Sequence, residues 1–336
     1  MKAIGYTQSL PITDDNALID LTLDTPTYGE HDLLVRVKAI SVNPVDTKIR
    51  KHRAPGATPE VLGWDAVGVV EALGARVTGF KPGDRVYYAG AINRPGANSE
   101  LHAVDARIAA HAPTSLDDAH AAALPLTAIT AWEILFERLG VAKNGGAGQT
   151  LLITAAAGGV GSILIQLARR LTQLTVIASA SRPESAAWVR QLGAHHVIDH
   201  HQPWGPQLAT LDIKAVSMVA SLSHTLQHFE QMVETLAPQG KLALIDEAEN
   251  LPIMRLKGKS ISLHWEMMFT RSMFQTADMA EQGKLLQEVA HLVDAGSLKT
   301  TLGQQMGLIN AANLRRAHAL IESGTAIGKV VLAQWA

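Results

Sequence analysis

Ala156, Gly158 and Gly161 stand in the spacing Ala-x-Gly-x-x-Gly, directly after the apolar run Leu151-Leu152-Ile153. An apolar run that ends in small residues and then takes up helical periodicity reads as a buried strand turning tightly into a helix. Such a turn points backbone N–H groups and the positive end of a helix dipole at an anion. Gly158, Gly159 and Gly161 carry no Cβ, so a pyrophosphate can come close to the loop and the helix can pack tightly on the strand. With Val160 between them, these residues are candidate phosphate ligands. The spacing is an Ala-for-Gly form of the dinucleotide-binding fingerprint, and taken alone it is a weak signal.

The surroundings of the loop strengthen it. Val160, Ile163, Leu164, Leu167, Ala168 and Leu171 recur at helical spacing, and Thr175–Ala178 reads as a second strand. Pro183 suits the first turn of the next helix and Gly193 its end. Strand, glycine turn, helix and strand make up the βαβ unit that the fingerprint requires; the competing reading is a glycine turn in an α/β protein that holds no nucleotide. Where NAD-binding chains close the second strand with an acid, this one reads Ser179-Ala180-Ser181-Arg182. Nothing there repels a 2′-phosphate, Ser181 can donate a hydrogen bond, and Arg182 brings a permanently charged fork. The expected cofactor is therefore NADPH, unless Arg182 only precedes a helix and faces water.

The chain has 336 residues, 47% of them hydrophobic, a net charge of −2 and no cysteine. That length suggests two domains. The charge balance gives no basic surface for nucleic acid or an anionic membrane, and disulfide and thiolate chemistry are excluded. Met1–Tyr6 reads as a first strand rather than a signal peptide. The apolar stretch 151–168 changes period and contains glycines, which argues against a membrane span. The expectation is a cytoplasmic protein acting on a small molecule.

The elements that must position the loop follow from period and punctuation. Leu33–Val42 alternates, Asp65–Glu71 and Arg85–Tyr88 read as strands, and Lys81-Pro82-Gly83-Asp84 reads as a turn. Strands so punctuated suggest a small barrel. After Pro125 a stripe from Ala128 through Trp132 and Phe136 to Leu139 reads as a helix ending at Gly140. Further strands are expected at 215–220, 240–245 and 260–264, helices at 277–296 and 313–322, and a closing strand at Lys329–Leu332. This gives an α/β chain with a barrel over 1–126, a nucleotide-binding domain over 127–265, and a segment 266–336 that returns to the barrel.

These pieces in this order resemble the medium-chain dehydrogenase/reductase superfamily, and within it the zinc-free quinone oxidoreductase branch. The resemblance rests on residues 41–50 (SVNPVDTKIR), 63–68 (GWDAVG), 81–86 (KPGDRV), 124–131 (LPLTAITA), the loop 156–161 and the closing Gly328-Lys329-Val330-Val331. It implies a GroES-like β-barrel domain, a Rossmann doubly wound parallel sheet, NADPH bound between the two, and a homodimer or homotetramer. It also implies that Asn43 lies beside the nicotinamide, that Thr130 and Ser221 lie near the cofactor, and that Lys329 lies near the 2′-phosphate.

Zinc-dependent relatives place a Cys near the position of Asn43 and a His in the motif that here reads Gly63-Trp64-Asp65. Asp46 and Asp65 alone do not make the three-ligand set of a catalytic zinc, and no metal is expected. His195, His196, His200 and His201 cluster around the strand expected at 197–199, where neighbouring side chains point to opposite faces; they read as a solvated strand end. Without a metal, hydride transfer suits quinones and α,β-unsaturated carbonyl compounds, which need less activation than simple ketones. Asn43 is the first candidate donor, followed by Tyr88 and Tyr87. Asp46 is a candidate proton relay or helix cap, and Trp64 a candidate apolar wall or core residue. The alternatives are a zinc-type alcohol dehydrogenase with atypical ligands and an NADPH-binding sensor without turnover.

Overall fold

The apolar runs of the middle of the chain pair into one parallel sheet of six strands. Their spatial order is His196–Ile198, Thr175–Ser179, Thr150–Ile153, Val216–Ser221, Leu236–Leu244 and Ser262–Trp265. The chain order reverses between Thr150–Ile153 and Val216–Ser221. That is the doubly wound arrangement, whose ligands lie outside the carboxyl ends of the strands at the reversal. Leu152, Ile177, Val219, Leu242 and Leu244 pack with Trp204 and Phe229 in a buried apolar core. The Gly159–Leu171 helix buries every residue from Gly161 to Ala168.

The computed structural model describes residues 1–336 and comprises two units, Met1–Ile129 with Phe269–Ala336, and Thr130–Met268. The unit boundaries fall three residues beyond those read from the sequence. In the first unit, six strands follow the order Leu302–Gln305, Lys329–Ala333, Asp32–Val42, Ala66–Leu73, Arg85–Tyr88 and Ala109–His111; Leu101–Asp105 also pairs with Asp32–Val42. A three-stranded sheet of Ile19–Thr22, Lys2–Tyr6 and Glu60–Val61 completes the β-structure. The returning segment supplies the Lys329–Ala333 strand, which runs antiparallel to Asp32–Val42 with Val330 opposite Val42. This register brings Lys329 beside Asn43.

One sequence expectation changes. The stripe from Ala128 to Leu139 is not one α-helix: Pro125–Trp132 is α-helical and Glu133–Arg138 widens to a π turn, with Leu139 N–H bonded to Ile134 O at 2.8 Å. One extra residue in a turn is invisible to a 3.6-residue period. The helical run long and apolar enough to cross a membrane is Asp118–Arg138, and its apolar window is 89% buried inside the fold. The stretch 151–168 splits into strand and helix.

Candidate active site

In the Thr130–Met268 unit, the strand Thr150–Ile153 ends in a tight turn. Ala155 takes the left-handed conformation (φ 47°) and Gly158 N–H closes the turn on Ala155 O at 3.0 Å. Ala156 is buried with ordinary φ, which is why alanine serves at the first position of the fingerprint. Gly158 begins the Gly159–Leu171 helix with no side-chain cap. Helix geometry leaves the N–H groups of Gly159, Val160 and Gly161 without intrahelical acceptors, so they suit an anion. A Cβ on Gly161 would lie 2.4 Å from Ala156 O, whereas one on Gly158 would meet only Ala155 O at 3.3 Å. Gly161 is thus required by packing, while Gly158 keeps the mouth of the loop open, as a pyrophosphate needs.

Ser181 is half-buried and Arg182 exposed, just past the Thr175–Ser179 strand; Arg182 N-caps the Pro183–Gln191 helix. Both stand at the carboxyl end of the sheet. Ser221 is fully buried, and its hydroxyl pairs with Thr225 Oγ1 at 2.7 Å. Thr225 in turn gives its N–H to Asp246 Oδ2 at 2.9 Å and its hydroxyl to Asp246 Oδ1. Leu222 N–H bonds Thr154 Oγ1 at 3.0 Å. Ser221, expected as a cofactor ligand, therefore helps tie together three strand ends. Thr154 and Asp246 escaped the sequence reading because a lone Thr or Asp after a strand carries no local pattern. Thr130 is buried in the Pro125–Trp132 helix.

In the barrel unit, a buried polar cluster surrounds Asp65. Its Oδ2 accepts from Ser41 Oγ (3.0 Å), Asn43 Nδ2 (2.8 Å) and Lys329 Nζ (2.9 Å), and its Oδ1 accepts from Leu126 N–H (2.7 Å). Lys329 also donates to Val42 O at 3.1 Å and to Asn43 Oδ1. All three of its N–H groups are thereby engaged. This corrects its expected place near the 2′-phosphate: the antiparallel register sets its ammonium against Asp65, where a buried charge must have a partner. Asn43 begins the Pro44–His52 helix, and its backbone N–H donates to Asp46 Oδ2 at 2.6 Å. Asp46 is buried with Oδ1 lacking any partner. Burial, reinforced by the Asp65 charge, pushes its carboxyl up to about 7 against the Asn43 and Gly63 N–H groups and Lys329.

The other catalytic candidates of the barrel unit are core residues. His102 Nε2 faces Pro95 O at 2.9 Å and Nδ1 faces Tyr88 OH at 3.2 Å. Burial lowers His102 to about 4, so its ring is neutral, Nε2–H donates to Pro95 O and Tyr88 donates to Nδ1. Tyr88 is thus not a donor to an acceptor molecule. Tyr87 donates to Leu286 O. Trp64 is buried, gives Nε1–H to Ala91 O at 3.2 Å and meets the Phe269 ring edge-on at 6.1 Å, so it is packing rather than a wall for a ligand.

Residues 29–114 match the alcohol dehydrogenase GroES-like domain and residues 192–332 the zinc-binding dehydrogenase family. A zinc-type alcohol dehydrogenase-like protein of Staphylococcus epidermidis is 36% identical over 337 residues, covering 99% of each chain. This chain belongs to the medium-chain dehydrogenase/reductase superfamily. It is an oxidoreductase with the GroES-like and Rossmann features of that superfamily. The quinone oxidoreductase of Pseudomonas aeruginosa is 32% identical over 309 residues, 90% of this chain and 91% of its own. Among solved structures, a Rhizobium etli CFN 42 protein assigned to the zinc-dependent alcohol dehydrogenases is 54% identical with a TM-score of 0.97, covering 100% of this chain and 98% of its own. Mycobacterial Rv1454c, solved with NADPH, is 28% identical with a TM-score of 0.84 and 99% coverage of both.

The zinc in these names does not fit the residues present. A zinc ion wants thiolate, imidazole or carboxylate ligands with an open position. The chain has no thiol, Asp65 already accepts four donors, and the cation beside it is the Lys329 ammonium. The histidines around 195–201 do not supply an alternative. His195 accepts Val176 N–H through Nδ1 and meets Arg169 through Nε2, and no group of three or more His, Asp or Glu side chains is placed to hold a metal.

Proposed function

We propose that this oxidoreductase uses NADPH to reduce quinones or α,β-unsaturated carbonyl compounds without a metal. The observation that carries the reading is the saturation of Asp65 by four donors, one of them the Lys329 ammonium. With that carboxylate engaged and no thiolate in the chain, activation of an acceptor oxygen falls to hydrogen-bond donors. Asn43 Nδ2 gives one N–H to Asp65 and keeps a second. Hydrogen bonds of this kind suffice for acceptors that are already electron-poor.

Bound NADPH supplies the hydride. The N–H groups of Gly159, Val160 and Gly161 hold its pyrophosphate, and Ser181 and Arg182 bind the 2′-phosphate. Asn43 hydrogen-bonds the acceptor oxygen. Asp46, whose carboxyl carries its proton near neutrality, holds the proton that must accompany the hydride. Two relatives agree with this chemistry: the Pseudomonas aeruginosa protein is named a quinone oxidoreductase and Rv1454c was solved with NADPH.

The test is oxidation of NADPH and NADH by purified protein across quinones, enones and simple aldehydes, with and without a strong chelator. Chelator-insensitive turnover of quinones or enones with preference for NADPH is expected. Turnover of aldehydes alone, abolished by chelation, would overturn the reading.

A further inference from the structure

A second buried acid lies outside the cluster around Asp65. Glu133 opens the π turn Glu133–Arg138, and Glu266 follows the last strand of the parallel sheet, Ser262–Trp265. Both carboxyls are almost wholly buried, 1% and 4% exposed. Arg138 Nε donates to Glu266 Oε2 at 2.7 Å, and Arg138 lies 3.7 Å from Glu133 Oε2. Glu266 Oε1 is buried without any hydrogen-bond partner, so one guanidinium, that of Arg138, faces two carboxyls that burial keeps from water. Ionised carboxylates only accept. Two of them around a single guanidinium leave an unbalanced buried charge unless one carries a proton.

We infer that Glu133 and Glu266 share one proton at neutral pH and act as positioning residues for the carboxyl end of the nucleotide-binding sheet. Charge arithmetic agrees: two carboxyls with one proton carry −1, which Arg138 cancels, so the buried group is neutral. Burial, with the Glu133 charge added, pushes the Glu266 carboxyl well above where a lone carboxyl ionises. Glu137 shares the π turn with Glu133, Lys241 donates to Leu139 O at its end, and Lys241 and Arg138 both act on His264.

What the pair holds in place follows from the chain. Glu266 N–H bonds Leu244 O at 2.9 Å, at the carboxyl end of the two last strands. Trp265 and Met267, on either side of Glu266, are exposed. Glu133 stands three residues after Thr130, on the same helical face. The shared proton therefore joins the Thr130 turn to the Trp265–Met267 segment, at the sheet end where doubly wound folds bind ligands. Loss of the proton sets two buried carboxylates against each other and parts the two segments.

The part of this inference that concerns nucleotide affinity rests on the proposed NADPH binding; the shared proton does not. Infrared difference spectra should show the carbonyl stretch of a protonated carboxylic acid at pH 8. That band should vanish in Glu266→Gln and in Glu133→Gln and persist in Asp46→Asn. In parallel, the Kd for NADPH, read by fluorescence, should rise about tenfold from pH 8 to pH 10 in the wild type and stay within about twofold in Glu266→Gln. A spectrum without the band, or a band that survives both glutamate variants, overturns the shared proton. An equal pH response of Kd in wild type and Glu266→Gln overturns the positioning role. Failure of the wild type to bind NADPH at pH 8 overturns the positioning role together with the nucleotide reading, and the infrared band still decides the proton.

Discussion

Lys329 Nζ lies 2.9 Å from Asp65 Oδ2, with the two side chains 3% and 0% exposed. They come from opposite ends of the chain and meet because Lys329–Ala333 pairs with Asp32–Val42. The pair gives the barrel unit its own fixed cation at the carboxylate that also orients Asn43.

Removing one partner strands the other. Lys329→Met leaves the Asp65 charge buried and should cost about 3–5 kcal/mol of stability. Asp65→Asn combined with Lys329→Met removes both charges and should recover most of that loss. Urea denaturation of the three proteins measures it. A single variant as stable as the wild type would show that the pair contributes nothing.

Asp46 should couple stability to pH with a sign unusual for an aspartate. Its folded-state value is raised from 3.8 to about 7. Between those values the folded protein holds a proton that the unfolded chain releases. Stability from this residue is therefore full below about pH 4, falls as pH rises, and levels off above about 7. The total is on the order of 4 kcal/mol. Asp46→Asn should abolish this slope, so the variant gains on the wild type between pH 5 and pH 8 in thermal melts.

The same proton bears on rate. Turnover of an enone should hold steady below pH 7 and decline above it, as Asp46 ionises. Asp46→Asn should lower kcat about a hundredfold and flatten the profile, with little change in the Kd for NADPH. A wild-type profile flat through pH 9 would remove Asp46 from the proton path.

Two glycines of one loop should behave differently. Gly161→Ala brings a Cβ to 2.4 Å from Ala156 O and should destabilise the fold by about 1–3 kcal/mol as well as weakening nucleotide binding. Gly158→Ala meets only Ala155 O at 3.3 Å, so the melting temperature should hold while the Kd for NADPH rises. Equal loss of stability in both would show that the loop is closed by packing alone.

Arg182 should discriminate between nucleotides. Arg182→Ala removes a charge-assisted contact and should weaken NADPH about tenfold to a hundredfold with NADH unchanged. Parallel titrations with the two nucleotides read the ratio.

The nucleotide-binding half was legible in the sequence because its signals are local. The Ala156–Gly161 loop, the helical stripe from Val160 to Leu171 and the missing acid after Ser179 each lie within one loop, one helix or one strand end. The π turn at Glu133–Arg138 was not, since one added residue leaves the apolar stripe nearly intact. Tyr88 and Trp64 carry functional groups that suit a site. Their burial against His102, Ala91 and Phe269 depends on strands distant in sequence.

The sequence by itself determined the order of elements, the parallel sheet with its glycine loop and the absence of thiolate ligands. These follow from period, punctuation and residue type, which act over a few residues. Only the tertiary structure decided the role of Lys329 and the meeting of Glu266 with Arg138. In each case a charged side chain had to leave water, and its partner was set by strand register and chain return, across 264 residues for Asp65 with Lys329 and 128 for Arg138 with Glu266. No local pattern carries that information, because a buried charge takes whichever opposite charge, or proton, the fold brings within reach.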